Sequence, residues 1–165
     1  MKTLPTEKQV KQSGDGHLYV EVTESRGYYL ETRDGQGGSI SHGQFNLNLT
    51  VIALQGTVYI PTSLASGKKP TGFVYEIEGT GEGNISTASI SCSGEDITQV
   101  TFGTLQYTKI PQGRTATFQM VISIEGSWGH SYRIIINRIN YKFNLTDARY
   151  KRFDTSISTN ELTFR

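Results

Sequence analysis

The clearest alternation of apolar and polar positions lies in residues 114–143. Ala116, Phe118, Met120, Ile122 and Ile124 are apolar, while Thr115, Thr117, Gln119 and Ser123 are polar. A period of two belongs to a strand with one buried face and one wet face. Gly126, Ser127, Trp128 and Gly129 interrupt the pattern, and Tyr132, Ile134 and Ile136 resume it on one parity. This predicts a long antiparallel hairpin that supplies much of a core. The parity then slips, from Ile134 and Ile136 to Ile139, Tyr141 and Phe143, with Asn137 and Arg138 at the break. One extra residue in a strand produces such a slip, so a bulge is predicted there.

The same reading extends along the chain. Leu18, Val20 and Val22 share one face of a strand over 17–23, and 27–31 reads as a second short strand. Residues 33–43 are rich in glycine and read as a connection. They lack the glycine spacing and the following helix of a phosphate-binding loop. Phe45, Leu47, Leu49 and Val51 alternate with Asn46, Asn48 and Thr50, and the adjacent apolar pair Val51-Ile52 predicts a second bulge or bend. Further strands are expected over 57–60, 73–78, 85–92, 97–102, 104–110 and 156–164, with 144–153 irregular or forming one short helical turn. Residues 1–16 read as a polar extension and 17–165 as one domain. Strands at this spacing, with no helical segments between them, predict an all-β fold. The expected form is a single antiparallel β-sandwich, immunoglobulin-like or jelly-roll-like, of about eight to ten strands.

Composition supports that class. Hydrophobic residues make up 35% and charged residues 19%, with 18 Gly, nine Tyr and seven Phe among many Ser, Thr and Asn. The formal net charge is +1, so no global field draws in nucleic acid or an anionic membrane. Cys92 is alone, which rules out an intrachain disulfide; it is expected to be a small buried hydrophobe. No secretory signal is visible after Met1, and no run approaches the roughly 20 apolar residues that cross a bilayer.

Several pieces taken together resemble immunoglobulin-like β-sandwich modules of bacterial surface and secreted proteins. They are the corner Tyr59-Ile60-Pro61, the strand start Gln112-Gly113-Arg114-Thr115-Ala116-Thr117-Phe118, and the strand marked by Tyr132-Arg133 and Ile139-Asn140-Tyr141. The similarity covers roughly residues 43–164. It implies a structural or adhesive role outside the cell rather than catalysis. The disulfide and core tryptophan of antibody domains are absent.

Candidate chemistry is thin. His17, His42 and His130 lie far apart in sequence, without the close ligand pairs of a zinc site. Glu76 and Glu78 share one strand face, whereas paired glycosidase carboxylates lie on separate elements. Calcium at Asp15, Asp34 or the Glu95-Asp96 turn is the one cofactor the loops would suit. Basic residues Arg133, Arg138, Lys142, Arg149, Lys151 and Arg152 interleave with Tyr141, Phe143, Tyr150 and Phe153, a pattern weighed against the wet face of strands. Asn48, Asn84 and Asn144 begin glycosylation sequons. Trp128 stands at the tip of the expected hairpin.

The sequence therefore predicts no enzyme. It points to a structural subunit or module of an extracellular surface, filament or virion assembly, joining copies of itself through edge strands. The expected edges are 18–23 and 156–164, with Leu18, Val20, Val22, Ile157, Leu162 and Phe164 as contact residues, and Trp128, His130 and Tyr132 at the tip. The competing expectation is a carbohydrate-binding or adhesion module in which Trp128 stacks on a glycan with Tyr132, Tyr28 or Tyr29. Neither nucleic-acid binding nor membrane insertion is expected.

Overall fold

A computed structural model describes residues 10–12, 16–33, 39–66, 71–80, 86–126 and 129–164. Among these the fold is all-β, with no helix and thirteen strands in three sheets. The first sheet contains β1 (Val10–Gln12), β2 (Leu18–Arg33), β3 (Ser39–Ala53), β10 (Thr115–Gly126) and β7 (Ser86–Ser93), in the order β1-β2-β3-β10-β7. The second is β12 (Lys151–Ser158), β11 (Ser131–Tyr141), β6 (Phe73–Gly79) and β5 (Leu64–Ser66) in that order, with β13 (Leu162–Thr163) also on β11. The third is β4 (Val58–Pro61), β9 (Leu105–Ile110) and β8 (Thr98–Phe102). It continues from the second through reciprocal backbone hydrogen bonds between Tyr59 and Lys142, 2.8 and 2.9 Å.

The core explains the alternation. Leu18, Val20, Phe45, Leu47, Leu49, Val51, Phe118, Met120 and Ile122 project from the first sheet into one buried cluster with Phe73, Ile134, Ile136, Ile139 and Tyr141 of the second. The rings of Phe73 and Phe118 meet across the layers at 4.7 Å. This facing arrangement has the character of a β-sandwich. The third sheet adds to it, so the described residues form three sheets rather than the single two-sheet sandwich of eight to ten strands expected.

Several expectations change. β10 and β11 do not form a hairpin: β10 pairs with β3 and β7, whereas β11 pairs with β6, β12 and β13. β10 and β11 therefore belong to different sheets. The bulge in β11 is present, with the register shifting between Ile136 and Arg138 against both neighbours. The slip expected at Val51-Ile52 is not. The register runs unbroken there, and Ile52 faces outward between Tyr19 and Thr115. The two short strands at 17–31 are one long strand, bulged between Val22 and Glu24. That bulge moves the inward positions from Val22 to Ser25, Gly27 and Tyr29. The polar extension contributes β1, and part of the expected 33–43 connection belongs to β3. The last strand is split by 159–161 into β12 and β13.

The corner after Tyr59-Ile60-Pro61 is pinned by Asn140. Its side-chain amide donates to the Thr71 carbonyl at 2.7 Å, and its backbone N–H donates to Gly72 at 2.8 Å. Asn140 is buried, so the motif that suggested a family resemblance works here as a brace between β11 and the start of β6.

Candidate functional site

A strand edge offers unpaired N–H and C=O groups, and proteins normally blunt it with charge, proline, a bulge or shortness. Among the described residues the edges differ in this respect. β12 carries Lys151, Arg152 and Asp154 along an exposed edge. β5 has three residues. Beyond the short β1, Ser25 Oγ donates to the Ser158 carbonyl and the Gly27 N–H donates to Asn160 Oδ1, both at 2.7 Å, so that margin is tied to the opposite layer.

β7 has none of these devices. Its eight residues, Ser-Thr-Ala-Ser-Ile-Ser-Cys-Ser, contain no charge and no proline, and its register with β10 is continuous. Within the described residues its other side pairs with no strand. Residues directly opposite share a face, so Ala88, Ile90 and Cys92, which face Ile122, Met120 and Phe118, lie on the core side. There Ala88 is nevertheless exposed, and Ile90 and Cys92 are half-buried. These three side chains form a small, partly open apolar ledge beside the unpaired backbone. The Tyr75 and Ser86 hydroxyls, 2.9 Å apart, tie one end of the strand to β6. Burial raises the Cys92 thiol above its ordinary pKa, against the opposing pull of hydrogen bonds to Thr108 and to the Ser93 carbonyl.

The residues singled out in the sequence fall elsewhere. Leu18, Val20 and Val22 are in the core, and the backbone of 19–21 lies between β1 and β3 rather than at an edge. Ile157 is also buried. Trp128 lies outside the described residues, as do Asp15, Asp34 and Asn84. His130, Tyr132, Leu162 and Phe164 do come together, at the closed end of the sandwich. His130 Nδ1 is 3.1 Å from Thr80 Oγ1, and Tyr132 and Phe164 are fully buried with ring centroids 5.0 Å apart. A buried Tyr132 offers no face to a glycan. Tyr28 and Tyr29 are exposed at 38% and 36%, but their adjacent positions point to opposite faces of β2.

Phe164 occupies a socket walled by glycine. A Cβ added to Gly126 would fall inside its ring, and one on Gly43 would come within 2.9 Å of it. One on Gly27 would meet Leu162 at 2.8 Å. These glycines come from β10, β3 and β2, and the Tyr29 ring leans on Phe164 at 5.9 Å. Sequence reasoning read each of them as punctuation of a turn or strand end. The only available signal was their occurrence in three runs that otherwise alternate like strands.

Several of the remaining candidates are engaged within the fold. Arg133 donates through Nε and Nη2 to Glu78 at 3.1 and 2.8 Å, and Asn137 donates to Glu76 at 3.2 Å. Asp96 pairs with Arg114 at 2.9 Å. The Lys142 ammonium sits over the Tyr150 ring, 4.5 Å from its centroid, and that of Lys151 lies 5.7 Å from the Phe143 centroid. His17 contacts the Tyr141 hydroxyl through Nδ1 at 3.0 Å. Among the described residues no three His, Cys, Asp or Glu side chains group as metal ligands, and no helix is long and apolar enough to cross a membrane. No protein-family model, curated protein or solved structure matches the chain.

Proposed function

We propose that this chain is a non-enzymatic structural subunit that joins copies of itself by adding strands at the outer edge of β7. The reading takes the fold as an immunoglobulin-like or jelly-roll-like sandwich elaborated by a third sheet, and places it in an extracellular surface, filament or virion assembly. The unprotected β7 edge carries the argument. It is eight residues long, uncharged and flanked by the ledge of Ala88, Ile90 and Cys92. A second β7 could pair along it with main-chain hydrogen bonds while the two ledges bury each other. Replacing two of its exposed residues, Ala88→Lys and Ser91→Lys, would place charge on both faces of that edge at little cost to the monomer. Sedimentation velocity is expected to show wild-type assemblies replaced by monomers with an unchanged melting temperature. An unchanged distribution of mass would refute the edge assignment.

A further inference from the structure

The C-terminal segment is held by a large side-chain contact and very little backbone. β13 pairs only Ser131 with Thr163 and Tyr132 with Leu162. Around them, Phe164 N–H donates to the His130 carbonyl at 2.9 Å, Gly129 N–H donates to the Phe164 carbonyl at 2.7 Å, and the Ser131 and Thr163 hydroxyls meet at 2.8 Å. The segment is joined to β12 by Thr159, whose Oγ1 accepts from the Ile134 N–H, followed by the exposed Asn160 and Glu161. Its hold on β11 is thus confined to a few backbone contacts, and the rest comes from side-chain burial.

Gly27, Gly43 and Gly126 have no side chains to swing into the space that Phe164 and Leu162 fill, and Tyr132 would lose the ring it packs on. The socket is thus shaped for one aromatic residue carried on a short extended strand. We propose that it also receives residues 162–164 of a second copy of this chain, in an exchange of C-terminal segments. Exchange rebuilds every contact named above in the neighbour, which is why swapping an element between identical chains costs little. The inference stands apart from the β7 edge: either contact can fail without the other.

The test uses two full-length chains in which Cys92→Ser removes the native thiol. One also carries Ser131→Cys and the other Thr163→Cys, positions directly opposite in the pairing. The two are mixed under glutathione disulfide, which accepts the electrons from the paired thiols. A disulfide joining 131 of one chain to 163 of the other is expected to exceed either homodimer by about tenfold, and to fall by a similar factor when Phe164→Ala is added to the Thr163→Cys chain. A mixed dimer no more abundant than the homodimers, or one indifferent to Phe164→Ala, overturns the proposal. A single chain carrying both cysteine substitutions provides the second arm. Oxidation is expected to lock its segment in place and to abolish the 131–163 link with added single-cysteine chains. If the locked chain still forms that link, the segment is not what exchanges.

Discussion

Removing the Phe164 ring probes both the socket and the way β13 is held. Phe164 is fully buried, and burying a phenylalanine side chain stabilises by about 3 kcal/mol at the upper end of its range. Phe→Ala substitutions in closed cores cost about 3–5 kcal/mol because a cavity remains. Here β13 pairs at only two positions, so once the ring is gone Leu162 and Thr163 can peel away and water can fill the space. The loss is therefore expected near about 3 kcal/mol, without the further cavity cost. Gly126→Ala reaches the same state from the other side, since its new Cβ occupies the ring position. Its cost is limited to that of expelling the ring, again about 3 kcal/mol. The sign of the second effect depends on the first. With Phe164 already replaced, Gly126→Ala no longer meets the ring and instead removes the entropic cost of a glycine in a strand, a gain of about 0.5–1 kcal/mol. Urea unfolding of the two single variants and the double variant, followed by circular dichroism with a common m-value, measures this cycle. If Gly126→Ala costs the same with and without Phe164, to within about 0.5 kcal/mol, the socket is not where the ring sits.

Two further predictions test the scaffold. Asn140→Ala removes the amide that satisfies the Thr71 carbonyl and should destabilise by about 1–3 kcal/mol, while Arg138→Ala, which loses only an exposed pair with Asp154, should cost under about 1 kcal/mol in the same urea assay. The Tyr150 phenol is held well above its ordinary pKa of 10.0, first by desolvation and then by the 2.8 Å contact with the Tyr107 hydroxyl. Because the folded state keeps this proton while the unfolded chain releases it, stability is fully present below pH 10.0 and declines as pH rises above it. Tyr150→Phe should flatten that decline, and a slope identical to wild type in pH-dependent melting would refute the assignment.

The legible parts of the fold were those governed by side-chain parity. The buried faces of β3, β6 and β10 follow from alternation alone, and so does the bulge near Asn137, where an apolar run changes parity while continuing to face the core. Pairing partners were not legible. β10 and β11 both bury one face in the same core, and the glycine-rich residues between them suit a crossing between layers as well as a tight hairpin. Ile52 misled for a related reason. It is apolar yet outward-facing, sheltered by Tyr19 and Thr115 on neighbouring strands that parity cannot reveal. Of the site, the convergence of Leu162, Phe164, Tyr132 and His130 was visible only as a set of names. The socket depends on three glycines from separate strands, which meet only once register is fixed. β7 was read correctly as a strand, but its place at the edge of the sheet depends on pairing that parity does not reveal.

The central claim, that copies associate along β7, is tested most directly by amide hydrogen exchange as a function of protein concentration. The outward-facing amides of Ser86–Ser93 are expected to exchange freely in dilute monomer and to become protected in step with the rise in mass, with no comparable change in β12. Assembly that leaves β7 exchanging as fast as in the monomer, with new protection on another strand, would contradict the account.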